Sequence, residues 1–241
     1  MARRLTSTKP TEWQEDRNKS VLAEVATRMV KPKTKNQAFF WAAMDAKTVI
    51  IGEGKPGVGK TYLACAFAAN GLREKRFERV VLTRPIVSCG RGYGYRPGTT
   101  LEKVMPTMRP MLDAFYEFLG EAETHKLIER RVIDILPLDD MRGCSLPNSI
   151  ILCDEAQNAE YNQLHMLLTR FGKNSKVVLM GDATKSQIDL SYSGENPFRK
   201  VIRLLTADKH DQLHVVHFTR ADIQRHPFIQ WIDERLSEPE E

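Results

Sequence analysis

Strand-like and helix-like segments alternate along most of this 241-residue chain, which predicts an α/β fold with a mostly parallel sheet flanked by helices. Six short β-branched runs, the amphipathic stretches between them, and a glycine-rich turn directly after the first run carry that expectation. The runs are 48–51, 80–83, 132–135, 150–153, 176–180 and 213–218, each strand-like in length and composition. Segments 61–72, 101–119, 161–170 and 197–205 read as helices, and a terminal helix follows His226-Pro227. Residues 1–30 hold only a brief apolar period (Val21, Leu22, Val25, Met29) and read as an N-terminal adaptor arm. Residues 31–232 form the domain, and 233–241 an acidic tail. No internal repeat or low-complexity tract interrupts it.

Composition narrows the function classes. With 41% apolar and 28% charged residues the chain can bury a core. No apolar run approaches the roughly 20 residues of a spanning helix, so no membrane association is expected. The basic start lacks a following apolar stretch, which argues against secretion. Cys65, Cys89, Cys144 and Cys153 have no Cys-x-x-Cys or zinc-like spacing, and they read as reduced thiols of a cytoplasmic enzyme. The net charge of +5 is uneven: residues 73–109 hold nine Lys and Arg against three Glu, while the tail is −4. A basic face of that kind suits a polyanion.

The chemistry begins after the first strand, where Gly54-Lys55-Pro56-Gly57-Val58-Gly59-Lys60-Thr61 opens a helix. Glycines let backbone N–H groups of this loop turn toward phosphate oxygens, and the helix N-terminus adds its positive end. This is the phosphate loop of a P-loop NTPase, RecA-like in its strand–loop–helix context. Gly54, Gly57, Val58, Gly59, Lys60, Thr61 and Tyr62 are the candidate nucleotide contacts. Lys60 is expected to reach the β- and γ-phosphates of ATP, and the Thr61 hydroxyl to ligate Mg2+. The strand 150–153 ends in Asp154-Glu155-Ala156-Gln157, with Asp154 expected in the magnesium shell and Glu155 as the residue that polarises the attacking water. A third strand ends in Gly181-Asp182, so Asp182 is a nucleotide-binding candidate, and Gln187 is the candidate to orient water.

Beyond these motifs, the blocks Lys33-Thr34-x-x-Gln37, Leu82-Thr83-Arg84-Pro85, Gly94-Tyr95-x-Pro97-Gly98, Met141-Arg142-Gly143, Asp154-Glu155-Ala156-Gln157-Asn158, Leu168-Thr169-Arg170 and Arg225-His226-Pro227 occur in an order that resembles the PhoH-like family of P-loop ATPases, related to superfamily 1 helicases. The phosphate loop departs from the family's common Gly-Pro-Ala-Gly-Thr-Gly-Lys-Thr but keeps its Gly and Lys-Thr positions. The resemblance implies ATP hydrolysis coupled to RNA or single-stranded DNA in a ring-forming protein, in a short core-only form like those of bacteriophages, hence cytoplasmic in a host. It also implies that Gln37 contacts adenine, and that Arg225, ahead of Arg220 and Arg170, is the arginine that neutralises transition-state charge. Monomeric relatives close the site between two α/β domains, whereas this length holds one. The expectation is therefore a homo-oligomer, a hexameric ring, in which one chain's arginine meets the next chain's nucleotide.

The basic window contains Gly90-Arg91-Gly92-Tyr93-Gly94-Tyr95-Arg96. Tyr93 and Tyr95 can stack bases while Arg91, Arg96 and the strand-end Arg84 track phosphates of single-stranded RNA or DNA. Such a protein is an ATPase and, as a motor, a helicase or translocase. A nucleotide-gated RNA-binding scaffold and a P-loop small-molecule kinase are the alternatives.

Overall fold

The computed structural model describes residues 30–86, 105–184 and 194–236. Gln187, Arg91, Tyr93, Tyr95 and Arg96, together with nearly all of the adaptor arm and the end of the acidic tail, lie outside the described residues.

Helix α1 (Lys35–Ala46) begins at Thr34, whose hydroxyl accepts from the Gln37 N–H at 3.2 Å. Strand β1 (Val49–Glu53) leads through the glycine loop into helix α2 (Lys60–Arg73). Strand β2 (Arg79–Thr83), helices α3 (Arg109–Leu119) and α4 (Glu121–Glu129) and strand β3 (Ile133–Ile135) follow. Then come β4 (Ser149–Cys153), α5 (Tyr161–Leu168), β5 (Lys176–Gly181), α6 (Pro197–Thr206), β6 (Leu213–His217) and α7 (Pro227–Leu236). All of the expected strands form within a residue or two of their expected bounds. The segment expected as one helix over 101–119 is, in its described part, a 3-10 turn (Met105–Met108) followed by α3. Pro110 lies in the first turn of α3, where a missing N–H leaves no hydrogen bond unmade.

The strands form one six-stranded sheet in the order β3-β2-β4-β5-β1-β6, and every pairing is parallel. All carboxyl ends therefore meet at one edge, where open α/β sheets bind ligands. Strand β5 lies between β1 and β4, so the glycine loop, Asp154-Glu155 and Gly181-Asp182 emerge side by side.

Alternate strand residues supply two cores. Ile50, Val80, Leu82, Ile150, Leu152, Val178 and Met180 pack on one face with Phe40, Phe67, Phe115 and Leu127 from α1 to α4. Ile51, Val81, Ile151, Val177 and Leu179 pack on the other with Leu164 of α5 and Phe198 of α6. Fully burying each such side chain contributes roughly 1.5–3 kcal/mol, which holds the strand ends in fixed register. Among the described residues no helix is long and apolar enough to cross a membrane.

Candidate active site

From the end of β1 the chain curls through the glycine loop into α2. Gly57 and Gly59 both have φ +87°, a conformation that side-chain-bearing residues rarely adopt. A Cβ at Gly57 would lie 2.5 Å from Arg225 Nε, so that side chain would have to move, and one at Gly59 would lie 3.2 Å from Gln37 Nε2. The loop is pinned to its surroundings, because Gly54 N–H donates to the Gly181 carbonyl at 3.1 Å and Gln224 N–H donates to the Gly57 carbonyl at 2.9 Å.

Lys60 is the first residue of α2, and its side chain folds back over the loop to donate to the Gly54 carbonyl and, at 3.1 Å, to the Lys55 carbonyl. Burial lowers its pKa, opposed by the negative charges of Asp182, Asp154 and Glu155, and Arg225 lowers it further. Those four side chains therefore share the neighbourhood of one buried ammonium. Thr61 Oγ1 donates to Asp154 Oδ1 at 3.1 Å across the gap between α2 and the end of β4. Asp154 is 6% exposed, and burial, then the neighbouring Glu155 charge, raise its pKa above the usual carboxylate range. Asp182 is also buried. Its Oδ1 accepts from the Thr184 N–H at 3.1 Å, while Oδ2 has no hydrogen-bond partner among the described residues.

This donor set fits a magnesium-bound nucleotide. A hydroxyl and a carboxylate already converge, a buried carboxylate oxygen has no hydrogen-bond partner among the described residues, and the loop turns at two glycines with φ +87°. Among the described residues no three His, Cys, Asp or Glu side chains cluster to hold a metal alone. Mg2+ held by Thr61 and Asp154 would therefore complete its shell with phosphate oxygens and water, as that ion ordinarily does.

Other expected residues fall less directly. Gln37 is buried, with Nε2 donating to the Val58 carbonyl at 2.9 Å and Oε1 accepting from the Lys33 N–H at 2.7 Å, so its amide braces the loop. Tyr62 turns away: its ring packs on Phe118 with centroids 5.0 Å apart, and its hydroxyl donates to Glu117 at 2.9 Å. Arg225 lies against Gly57 of its own chain. The turn before it is anchored by Asp222, which accepts from Asn36 Nδ2 at 2.8 Å and from the Thr219 N–H at 2.7 Å. Arg220 is exposed at the start of the 3-10 turn Arg220–Asp222, and Arg170 follows α5 with a buried Nε that has no hydrogen-bond partner among the described residues.

Sequence reasoning assigned no role to Gln157, yet it links two strand ends. Its side chain is fully buried, Nε2 donating to Glu155 Oε2 and Oε1 accepting from the Asp182 N–H at 3.0 Å. Its position in Asp-Glu-Ala-Gln was the available signal. Arg84, expected to contact nucleic acid, sits with Nη2 3.7 Å from Glu155 Oε1 and Nη1 donating to the Thr107 carbonyl at 3.0 Å.

A model of the PhoH-like protein family matches residues 29–237. A PhoH-like protein of Mycobacterium tuberculosis is 40% identical over 214 residues, 89% of this chain and 60% of that protein. A PhoH-like protein of Bacillus subtilis is 37% identical over 207 residues, 86% of this chain and 64% of that protein. The chain thus spans less than two thirds of the length of these relatives. Among solved structures, the large terminase from a thermophilic bacteriophage is similar with a TM-score of 0.49 at 11% identity, over 86% of this chain and 51% of that one.

Proposed function

The chain belongs to the PhoH-like protein family, and from that premise we propose that it hydrolyses ATP with Mg2+, couples hydrolysis to single-stranded RNA or DNA, and works as a homo-oligomer. The observation that carries this reading is the convergence of Lys60, Thr61, Asp154, Glu155 and Asp182 at the carboxyl edge of one parallel sheet. In this reading Lys60 exchanges the Gly54 and Lys55 carbonyls for phosphate oxygens. Asp154 and Thr61 hold Mg2+, which neutralises phosphate charge when bound. Glu155 takes the proton of the attacking water, a role worth about 10² to 10⁴ in rate. Arg225, lying across Gly57, supplies positive charge to its own chain's phosphates. Support for the polyanion partner comes from the basic window over residues 73–109.

Steady-state ATPase rates without polymer and with single-stranded RNA or DNA, measured beside Lys60→Ala and Glu155→Gln, test it. The expected result is stimulation by RNA in the parent and loss of activity in both variants. A rate that depends on both residues yet ignores RNA and DNA would keep the ATPase and remove the nucleic-acid partner.

A further inference from the structure

Glu155 stands at the entry of the 3-10 turn Ala156–Asn158 with φ 52° and ψ 39°, left-handed values that side-chain-bearing residues seldom hold without support around them. Each of its carboxylate oxygens faces a different donor. Oε2 accepts from Gln157 Nε2, and Oε1 lies 3.7 Å from Arg84 Nη2.

The two donors differ in freedom. Gln157 is fully buried, its Oε1 held by the Asp182 N–H and its backbone carbonyl accepting from Asn196 Nδ2 at 3.0 Å. A Cβ on Gly181 would lie 2.8 Å from Gln157 Oε1, so the amide oxygen packs closely against the end of β5. Arg84 directly follows β2, its Nη1 donating to the Thr107 carbonyl at 3.0 Å and its side chain 25% exposed, opposite a Glu155 side chain that is 36% exposed. A long ion pair in that exposure is weak, and a guanidinium binds phosphate oxygens through its planar fork at least as well as a single distant carboxylate. One side of the clamp on Glu155 is therefore fixed and the other exchangeable.

We propose that Arg84 and Gln157 are positioning residues that restrain Glu155, and that the phosphodiester charge of a single strand releases it by drawing Arg84 away. While the Arg84 charge stands 3.7 Å from Oε1, the carboxylate that must accept a water proton is drawn toward it. Exchange of Arg84 onto phosphate frees Oε1, while Gln157 keeps the side chain at the nucleotide. This rests on the reading of the chain as an ATPase stimulated by single strands, and it names the residue through which the stimulation acts.

The test compares parent, Arg84→Ala and Arg84→Lys in steady-state ATPase assays over a range of KCl concentrations, without polymer and then with poly(U) or poly(dT). Arg84→Ala is expected to raise polymer-free kcat about two- to five-fold at unchanged KM for ATP, the size of a partly exposed ion pair, and to abolish stimulation by either polymer. Arg84→Lys, which keeps the charge but not the fork, returns part of the restraint. Added salt screens the pair, so it raises the parent's polymer-free rate while leaving Arg84→Ala flat, a readout that a folding defect does not imitate. A polymer-free rate in Arg84→Ala at or below the parent's, or the same salt response in both, overturns the clamp. A parent that hydrolyses ATP but ignores both polymers refutes the nucleic-acid partner instead, and the polymer-free comparison still decides whether Arg84 restrains Glu155. Absence of hydrolysis in every form overturns both.

Discussion

Asp154 is costly in the ligand-free fold. Burial and then the Glu155 charge push its pKa up, and the Arg84 charge and the Thr61 hydroxyl only partly offset them. Because the folded value lies above the unfolded one, the group favours folding below the ordinary carboxylate range and loses that contribution as pH rises through the raised value. Asp154→Asn, neutral at every pH, is thus expected to melt a few degrees above the parent at pH 7, with the gap closing toward about pH 4. Thermal melts of ligand-free protein across that range check this, and a variant no more stable at pH 7 contradicts it. Asp154, Lys60 and Thr61 were legible because their chemistry follows from short motifs on a strand end and a helix start. The contacts that Gln37 and Arg225 make were not, since their neighbours at Gly57, Val58 and Gly59 are far away in sequence.

Elements obey packing before propensity. Gly71 lies inside α2, where alanine is ordinarily worth about 1 kcal/mol more than glycine. A Cβ there would lie 2.4 Å from Phe77 Cδ2. That ring is 5% exposed, with Arg76 over it at 5.9 Å from its centroid and Phe67 at 6.4 Å, so it cannot simply swing clear. Overpacking costs about 1–3 kcal/mol, which offsets the propensity gain and leaves Gly71→Ala destabilised by up to about 2 kcal/mol net in urea denaturation. A stabilised variant would mean that α2 shifts freely. The strands were readable from their β-branched runs, whereas α1 and α4 were missed for opposite reasons. In α1 the apolar residues run round the helix: Phe40 and Met44 are buried while Phe39 is 60% exposed, which hides the period. In α4 the buried face includes Glu123 and Thr124, which carry no apolar stripe.

At the scale of the whole molecule, the proposed homo-oligomer turns on whose nucleotide Arg225 serves. Its contact with Gly57 of the same chain predicts that it serves its own nucleotide even inside an oligomer. Mixing Lys60→Ala with Arg225→Ala subunits should then restore no activity. Recovery on mixing, in the oligomer that sedimentation with an ATP analogue is expected to reveal, would return the arginine to the neighbouring site. The linear order of strand, loop and helix already specified an α/β chain with a phosphate loop and an acidic strand end, because glycine conformations, strand composition and the Lys-Thr pair act over a few residues. The order β3-β2-β4-β5-β1-β6 is non-local, set by how two apolar faces are covered. It inserts β5 between β1 and β4, and so brings Asp182 against Lys60 and its N–H against the amide of Gln157. Local chemistry named the parts, and burial on both sides of the sheet chose which of them touch.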